Sequence, residues 1–236
     1  MILVRYLDLR KIGEEEYERF LARCDAARRE KVLRFVHQKD RLRALFSHAL
    51  LPHALAESGR DPALAGNLSY NAHGKPYLPA TDGFCFNLSH AGDFVVIAVS
   101  PVEVGVDIER IRGDRRKISE RFFGEQEKAY IRAAKDEKEA EQRFTRVWTL
   151  KESYMKMTGE GFHLSPSDFR IGIGEEDIFL EREGIYEACH FAELSLLPSY
   201  CCSVCTEGTL PETNVKSLDL RSVIRQLAKN RQKTDR

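Results

Sequence analysis

The sequence has no excess of charge of either sign and no long hydrophobic run. Its 37 Lys and Arg residues balance 37 Asp and Glu residues, so the formal net charge is zero. Nucleic-acid and membrane binders need a large cationic excess, so neither partner is expected. No stretch approaches the ~18 uncharged apolar residues of a membrane span, and Arg5 and Asp8 come too early for a signal peptide. The expected location is the cytoplasm.

Cysteines are few, and they lack the spacing of metal or redox motifs. Six are present, and Cys202 and Cys205 form one CxxC without a second pair. Buried free thiols in a reducing compartment are therefore expected. The P-loop pattern GxxxxGK[ST] is missing, and no Ser-His-Asp or Cys-His candidate stands out. These absences argue against nucleophilic catalysis by serine or cysteine.

The sequence does contain strands and helices, arranged in blocks. Residue spacing predicts helices over residues 14–36, 40–50, 125–142 and 144–157. Pro52 should end or kink the second, and the third, which is highly charged, should contain a polar break. FCFNL and FVVIAVS predict a hairpin around SHAGD, VEVGVDIERI predicts a strand, and short strands follow to about residue 206. Because regular βαβ alternation is missing, the pattern indicates an α+β fold.

The segment VGVDIE places two carboxylates side by side. Apolar residues alternate with Gly105, Asp107 and Glu109, so the two acids share one face of a strand. Like charges at this spacing repel unless a cation shares them, and a divalent metal ion with oxygen ligands is a suitable partner. An ordinary solvent-facing strand edge is the alternative.

The helix predicted over 144–157 carries ionised groups where a purely structural helix would not. At about 100° per residue, Lys151 falls inside the apolar stripe, and Glu152 and Lys156 lie along its rim. Glu152 and Lys156 are four residues apart, so they can pair or act on a shared ligand. A simple salt bridge between them is the alternative.

Cations and turn residues suited to phosphates occur mainly in the first half. Residues 19–43 hold nine cations against three anions, and His90 sits in the turn NLSHAGD. A hydrogen-bonded loop histidine and a solvated helix face are the alternatives. Glu127 opens a helix and needs no further role. Three carboxylates with nearby cations favour metal-assisted chemistry at a phosphate or pyrophosphate.

These motifs together resemble the Sfp-type 4'-phosphopantetheinyl transferase family. DxE is weak alone, but its combination with NLSH upstream and WxxKExxxK downstream is highly specific. The departures are Ala91, where the family often has serine, and the turn GFHLSP. The match runs in order through GKPYLP (74–79), FNLSHAGD (86–93), VGVDIERI (104–111), RFFGEQE (121–127) and WTLKESYMKMTGEG (148–161), and more loosely over 34–51.

The resemblance implies an enzyme of the holo-[acyl-carrier-protein] synthase type. Such an enzyme transfers the phosphopantetheine arm of coenzyme A to a serine of an apo acyl or peptidyl carrier protein and releases adenosine 3',5'-bisphosphate. Asp107, Glu109 and Glu152 would hold Mg²⁺ on the pyrophosphate, and Glu152, Lys156 and Asp107 would be the catalytic residues. Coenzyme A would contact Lys31, Arg43, His73, Gly74, Lys75, Pro76, Ser89, His90, Lys151 and Lys156.

The resemblance also implies the organisation of the chain. Two similar α+β halves, residues 1–103 and 104–236, would be related by a pseudo-twofold axis, with the active site in the cleft between them. A monomer is expected. Two other functions stay open: a Mg²⁺-dependent pyrophosphate or phosphodiester hydrolase, and a catalytically silent binder of carrier protein or coenzyme A.

Overall fold

The fold mixes long helices with antiparallel sheets. The computed structural model describes residues 1–79, 81–113, 115–174, 177–208, 212–219 and 223. The helices in this part are α1 (Glu14–Leu21), α2 (Ala26–Leu33), α3 (Gln38–Glu57), α4 (Arg116–Phe122), α5 (Glu125–Arg132) and α6 (Glu137–Thr158). The strands are β1 (Ile2–Asp8), β2 (Ser69–Tyr70), β3 (Pro76–Tyr77), β4 (Cys85–Ala91), β5 (Phe94–Ser100), β6 (Val104–Arg110), β7 (Arg170–Ile173), β8 (Ile178–Arg182), β9 (Ile185–Tyr186), β10 (Cys189–Glu193), β11 (Tyr200–Glu207) and β12 (Thr213–Ser217). Within the described ranges, no helix has the length and apolar character that a membrane span requires.

Two sheets pack face to face, and each carries a long helix on its outer face. The first sheet has the order β12-β1-β5-β4, and the second has the order β10-β11-β6. Apolar side chains of β1 and β5 pack against those of β6 and β11 between the sheets. Helix α3 covers the outside of the first sheet, and α6 covers the outside of the second. This arrangement confirms the predicted α+β fold class.

The last described strand, β12, returns to the first sheet. Strand β12 pairs in parallel with β1, and Leu218 and Val223 join the core beneath α3. The division at residues 103 and 104 stays a prediction, and the first sheet includes a strand from beyond it.

Strands β4 and β6 lie edge to edge, and side chains join them. Asn87 Oδ1 accepts a hydrogen bond from the Val106 backbone N–H at 3.0 Å. Ser89 Oγ accepts one from the Ile108 N–H at 3.4 Å. Because Asn87 and Ser89 are two residues apart on one strand face, both can reach the same neighbour. The motifs FNLSH and VGVDIE are therefore brought together where the two sheets meet.

In the first half, the prediction of one helix over 14–36 is wrong, and the helix predicted over 40–50 is confirmed but does not end at Pro52. The helix predicted over 14–36 is interrupted because Asp25 has extended backbone and its side chain accepts from the Arg28 N–H at 2.8 Å, which starts α2. Helix α3 continues through Pro52 to Glu57. An interior proline costs about 3 kcal/mol. Burial of each leucine, such as Leu51 and Leu55, contributes about 1.5–3 kcal/mol and offsets that cost.

In the second half, the polar break predicted within 125–142 is found at residues 133–136, so α5 ends earlier and α6 begins earlier than predicted. Helix α5 ends at Arg132, and the Asp136 side chain accepts from the Glu139 N–H at 2.8 Å to start α6. Helix α6 then runs without a break to Gly159, whose φ of 71° ends it in the left-handed conformation. The predicted hairpin is confirmed as β4 and β5, and VEVGVDIERI forms β6. All six cysteines are free; Cys189, Cys202 and Cys205 are buried as predicted, whereas the other three are half-buried.

Candidate active site

A buried carboxylate lies where β4, β6 and α6 meet. Asp107 Oδ1 accepts hydrogen bonds from Ser89 Oγ at 2.9 Å and from Lys156 Nζ at 2.5 Å. Lys156 also donates to Ser89 Oγ at 3.1 Å. The three side chains therefore form one network that joins the first sheet, the second sheet and the helix.

Gly105 explains why Asp107 faces the helix rather than solvent. A Cβ at position 105 would lie 1.9 Å from the Ser153 carbonyl oxygen and 2.4 Å from the Met157 backbone nitrogen. Only glycine lets α6 approach β6 this closely, and Asp107, two residues further along, shares the covered face. For Asp107 the alternative of a solvent-facing strand edge is therefore wrong.

Glu152 lies one turn before Lys156 on the same helix and lines the adjoining cavity. Burial raises the pKa of Glu152, and the Asp107 carboxylate raises it further. Burial lowers the pKa of Lys156, but the Asp107, Glu152 and Glu109 carboxylates together outweigh that effect and raise it. Lys156 forms its ion pair with Asp107, so the salt bridge considered between Glu152 and Lys156 is not the arrangement found.

The third predicted metal ligand, Glu109, has an arginine partner. Arg115 Nη2 lies 3.5 Å from Glu109 Oε2, and the Arg115 guanidinium stacks over the Phe144 ring at 5.6 Å. The Glu109 charge still reaches Glu152 and contributes to its raised pKa. Glu109 is thus held near the site by a cation of the protein itself.

The carboxylates of Asp107, Glu109 and Glu152 suit a hard divalent cation, although two of them are paired with cations of the protein. Asp107 Oδ2 is buried and has no hydrogen-bond partner, and three carboxylates act on one another. Mg²⁺ prefers such oxygen ligands. Within the ranges that the structure describes, no three His, Cys, Asp or Glu side chains are arranged as a ready metal site. Lys156 and Arg115 hold the oxygens that a cation would need.

A cavity of about 290 Å³ opens beside this network. Its lining combines six predicted site residues with five others: His73, Gly74, Lys75, Pro76, Glu152 and Lys156, and Asn87, Leu88, Met155, Gly159 and Gly161. The acid and the lysine of α6 make one end polar. Glycines, proline and apolar side chains make the rest of the wall together with His73, Lys75 and Asn87, which suits a ligand with both charged and less polar groups.

The loop 71–76 is fixed against the end of α6. Asn71 Oδ1 accepts from the backbone N–H groups of His73 and Lys75, each at 2.9 Å, and Gly74 has a φ of 87°. Asn71 Nδ2 donates to the Gly159 carbonyl at 2.9 Å. This turn places the loop from the first half on the cavity wall of the second.

The Lys75 ammonium group is bonded within the protein. Lys75 Nζ donates to Glu103 Oε2 at 2.5 Å and to the Met157 carbonyl at 2.7 Å. Lys75 therefore joins the loop to the start of β6 and the end of α6. The residue lines the cavity, but its charge is paired with Glu103.

Five predicted coenzyme A contacts lie outside the cavity lining: Lys31, Arg43, Ser89, His90 and Lys151. Arg43 donates to the Gly92 carbonyl at 3.2 Å and pairs with Asp40, which places it beside the β4–β5 turn. Partial desolvation of the His90 ring and the Arg43 charge lower the pKa of His90. Lys31 is exposed on α2. Arg43 and His90 are thus neighbours, and the charges of Lys156 and Asp107 act on His90.

Lys151, a predicted coenzyme A contact, lies inside the protein and does not line the cavity. Its side chain is fully buried, and it donates to the carbonyl oxygens of Pro166 at 2.8 Å and Phe169 at 2.6 Å. Its third partner is Glu127 Oε1 at 2.8 Å. With all three N–H donors used, Lys151 has no proton left for a coenzyme A phosphate. Lys151 does lie within the apolar stripe of α6, as predicted, but it pairs with Glu127 inside the protein.

Sequence reasoning missed Asn87, Asn71 and the role of Glu127. Asn87 could have been found from its position two residues before Ser89, which puts both on one strand face. Glu127 follows Gly124 by three residues, and its side chain accepts from the Gly124 N–H at 2.7 Å. That spacing is a helix-start signal. The spacing does not reveal that Glu127 also pairs with Lys151.

Comparison with known proteins accounts for both halves of the chain. Residues 103–205 match the family model described as 4'-phosphopantetheinyl transferase superfamily, and residues 12–102 match 4'-phosphopantetheinyl transferase, N-terminal. A 4'-phosphopantetheinyl transferase of Bacillus subtilis is 31% identical over 202 residues, which cover 85% of this chain and 89% of the relative. The 4'-phosphopantetheinyl transferase Sfp of Bacillus subtilis (strain 168) is 29% identical over 201 residues, with the same coverage.

More distant matches were also found. The human L-aminoadipate-semialdehyde dehydrogenase-phosphopantetheinyl transferase is 32% identical over 179 residues, covering 66% of this chain and 58% of the relative. Among solved structures, Thermotoga maritima holo-[acyl-carrier-protein] synthase matches with a TM-score of 0.39 and 20% identity, covering 46% of this chain and 64% of that one. On the family models and the Bacillus relatives, the chain belongs to the 4'-phosphopantetheinyl transferase superfamily and is of the Sfp type.

Proposed function

We propose that this protein transfers the 4'-phosphopantetheine arm of coenzyme A to a serine hydroxyl of an apo acyl or peptidyl carrier protein, in the cavity beside Asp107, Glu152 and Lys156. Family membership supports the reaction. The observation that carries the placement is the Ser89–Asp107–Lys156 network next to a cavity that Glu152 lines.

The reaction needs a proton acceptor and charge stabilisation. The serine oxygen forms a new bond to the phosphorus of the phosphopantetheine arm, the anhydride bond to the departing phosphate breaks, and adenosine 3',5'-bisphosphate leaves. Glu152 takes the serine proton, because its carboxylate lines the cavity. Lys156, held by Asp107, stabilises negative charge on the phosphates during attack and departure.

Asp107, Glu109 and Glu152 are the residues that would hold Mg²⁺. Their mutual repulsion and the unpartnered Asp107 Oδ2 support this assignment. A bound Mg²⁺ neutralises charge on the pyrophosphate. Chelation with EDTA should abolish activity, and restored Mg²⁺ should recover it. Full activity in EDTA would contradict the assignment.

The coenzyme A contacts divide into two groups. His73, Gly74, Lys75 and Pro76 line the cavity and contact the ligand there, with the Lys75 charge paired to Glu103. Ser89, His90 and Arg43 lie at the β4 side of the network, where phosphate oxygens would approach. Lys31 is included on the resemblance alone. We further propose that the protein is a cytoplasmic monomer. Size-exclusion chromatography with light scattering tests the oligomeric state.

The function is tested by mass spectrometry on carrier proteins. Purified protein, Mg²⁺, coenzyme A and a panel of apo carriers should give a gain of about 340 Da on one or more carriers, as a serine-linked phosphodiester requires. Glu152→Gln is the matched control and should show little gain. Free phosphopantetheine without carrier modification would indicate a hydrolase, and binding without any product would indicate a silent binder.

A further inference from the structure

Lys151 and Glu127 form an ion pair inside the second half. Their side chains are both 0% exposed, and Lys151 Nζ lies 2.8 Å from Glu127 Oε1. Removing two charges from water costs about as much free energy as their attraction returns, so a buried pair adds little net stability. Apolar side chains would fill the same space at no such cost. The pair therefore needs an explanation other than stability.

Every polar atom of the pair has a partner. Lys151 donates to the carbonyl oxygens of Pro166 and Phe169 at 2.8 and 2.6 Å. Glu127 Oε1 accepts from the Ile171 N–H at 2.7 Å, and Oε2 accepts from the Gly124 N–H at 2.7 Å. Three segments meet at this pair: the start of α5, the middle of α6, and residues 166–171. Hydrogen bonds are directional, so the segments have one relative position in which all are satisfied.

Two of the three segments continue directly into the cavity. Lys151 precedes Glu152, and the residues of a helix turn by about 100° each, so fixing the direction of one side chain fixes that of the next. The segment 166–171 follows Gly159 and Gly161, which form the cavity wall. A shift of the pair would thus move both the acid that faces the cavity and the loop that closes it.

We propose that Lys151 and Glu127 are positioning residues, which set the rotation of α6 about its axis and the path of the loop 159–169, and so aim Glu152 and Lys156 at the substrate. This inference rests on the roles proposed above for Glu152 and Lys156. The pair touches no substrate; it acts through the backbone that carries those side chains.

The test removes both charges together. In the double variant Lys151→Met with Glu127→Gln, no unpaired charge is buried and side-chain volume is nearly kept. Misplacement by about 1 Å can cost on the order of 10²-fold in rate. We expect kcat for carrier modification to fall at least tenfold, while the KM for the carrier stays within about twofold. The single variant Lys151→Met leaves the Glu127 carboxylate without its cation and should unfold more readily than the double variant.

The matched control is another ion pair of the same helix. Arg146 and Glu193 join α6 to β10 through two hydrogen bonds of 2.7 and 2.6 Å, and both side chains are partly exposed. The double variant Arg146→Met with Glu193→Gln should keep kcat within about twofold of the wild-type value. A partly exposed ion pair contributes little to the free energy of folding. Circular dichroism and urea unfolding establish that both double variants are folded at the assay temperature.

A second readout does not depend on activity. Trp148 is the single tryptophan of the sequence and stacks with Phe144 at 6.2 Å on α6. Its emission should shift in the Lys151 and Glu127 double variant and not in the control variant, and the calorimetric Kd for coenzyme A should rise at least threefold. Unchanged kcat, emission and Kd in a folded double variant would overturn the inference, as would an equal loss in the control.

The inference and the proposed function fail separately. If the wild-type protein modifies no carrier, the proposed function fails, and Trp148 emission together with coenzyme A affinity still decides the role of the pair. If the wild type is active and the double variant matches it, the positioning role fails and the function stands.

Discussion

The two long helices cover their sheets in different ways. All buried residues of α3 are apolar, and the helix even accommodates Pro52. The buried face of α6 includes Thr149 and Lys151, and its backbone touches β6 at Gly105. Apolar contacts are nondirectional and tolerate small rotations, whereas hydrogen bonds and close backbone contact do not. The helix that must aim Glu152 and Lys156 is the one held by directional contacts.

The comparison predicts the largest effect at Asp107, which ties α6 to both sheets. Asp107→Asn removes the charge that holds Lys156, so kcat/KM should fall on the order of 10²-fold or more. Stability should change little, because the Lys156 side chain is 29% exposed and can reach water. Rates of carrier modification and urea unfolding measure the two effects.

The control is an ion pair on α3. Glu57 binds Arg5 through hydrogen bonds of 2.7 and 2.5 Å, and neither residue lines the cavity. Glu57→Gln should lower stability by about 1–2 kcal/mol and leave kcat/KM within about twofold. Equal losses of activity in the two variants would contradict the contrast between the helices.

A second test of the difference between α3 and α6 adds one methyl group beneath α6. The Gly105→Ala Cβ meets backbone atoms of Ser153 and Met157, which cannot move aside, so the free energy of unfolding should fall by about 3 kcal/mol or more. Gly66→Ala, at the end of the short 3₁₀ helix Pro62–Gly66 that packs against α3, meets nothing within 4 Å and should stay within about 0.5 kcal/mol of wild type. Urea denaturation compares them, and a neutral Gly105→Ala would show that α6 is not in tight contact.

The third prediction concerns the seam between the sheets. Asn87→Ala leaves the buried Val106 N–H without its acceptor, which should lower stability by about 1–3 kcal/mol. Substitution of the exposed Asn67 by Ala supplies the control and should have no measurable effect. Thermal and urea unfolding both report the difference. Similar stability in the two variants would mean that side chains do not join β4 to β6.

The smallest predicted effect is a pH dependence on α3. Burial, followed by the Arg28 charge, lowers the pKa of His48 from its usual 6.5 to about 4. The unfolded chain therefore binds the proton first as the pH falls below 6.5, and stability declines toward the folded pKa. We expect His48 to cost about 1–2 kcal/mol between pH 7.5 and pH 5. His48→Gln should flatten that part of the profile, and an unchanged slope would contradict it.

Local sequence signals predicted the elements but not all of their limits. The β4–β5 hairpin and strand β6 follow from alternation and turn residues, which act over a few positions. The break at Asp25 depends on the helix cap that Asp25 provides. The continuation of α3 past Pro52 depends on burial of its apolar side chains. In both places these free-energy contributions exceed helix propensity. Six predicted ligand residues line the cavity because their motifs adjoin the meeting point of β4, β6 and α6.

The sequence by itself determined the fold class, the order of the motifs, the acids at Asp107 and Glu152, and membership in the transferase superfamily. Only the tertiary structure decided which cations face the cavity. Lys151 and Lys156 lie five residues apart on α6 and are chemically identical, yet Lys156 meets Asp107 and Lys151 meets Glu127. A helical pattern gives the direction of a side chain on its own helix. The partner comes from distant segments, and the balance of desolvation and pairing there decides whether a charge serves the substrate or the fold.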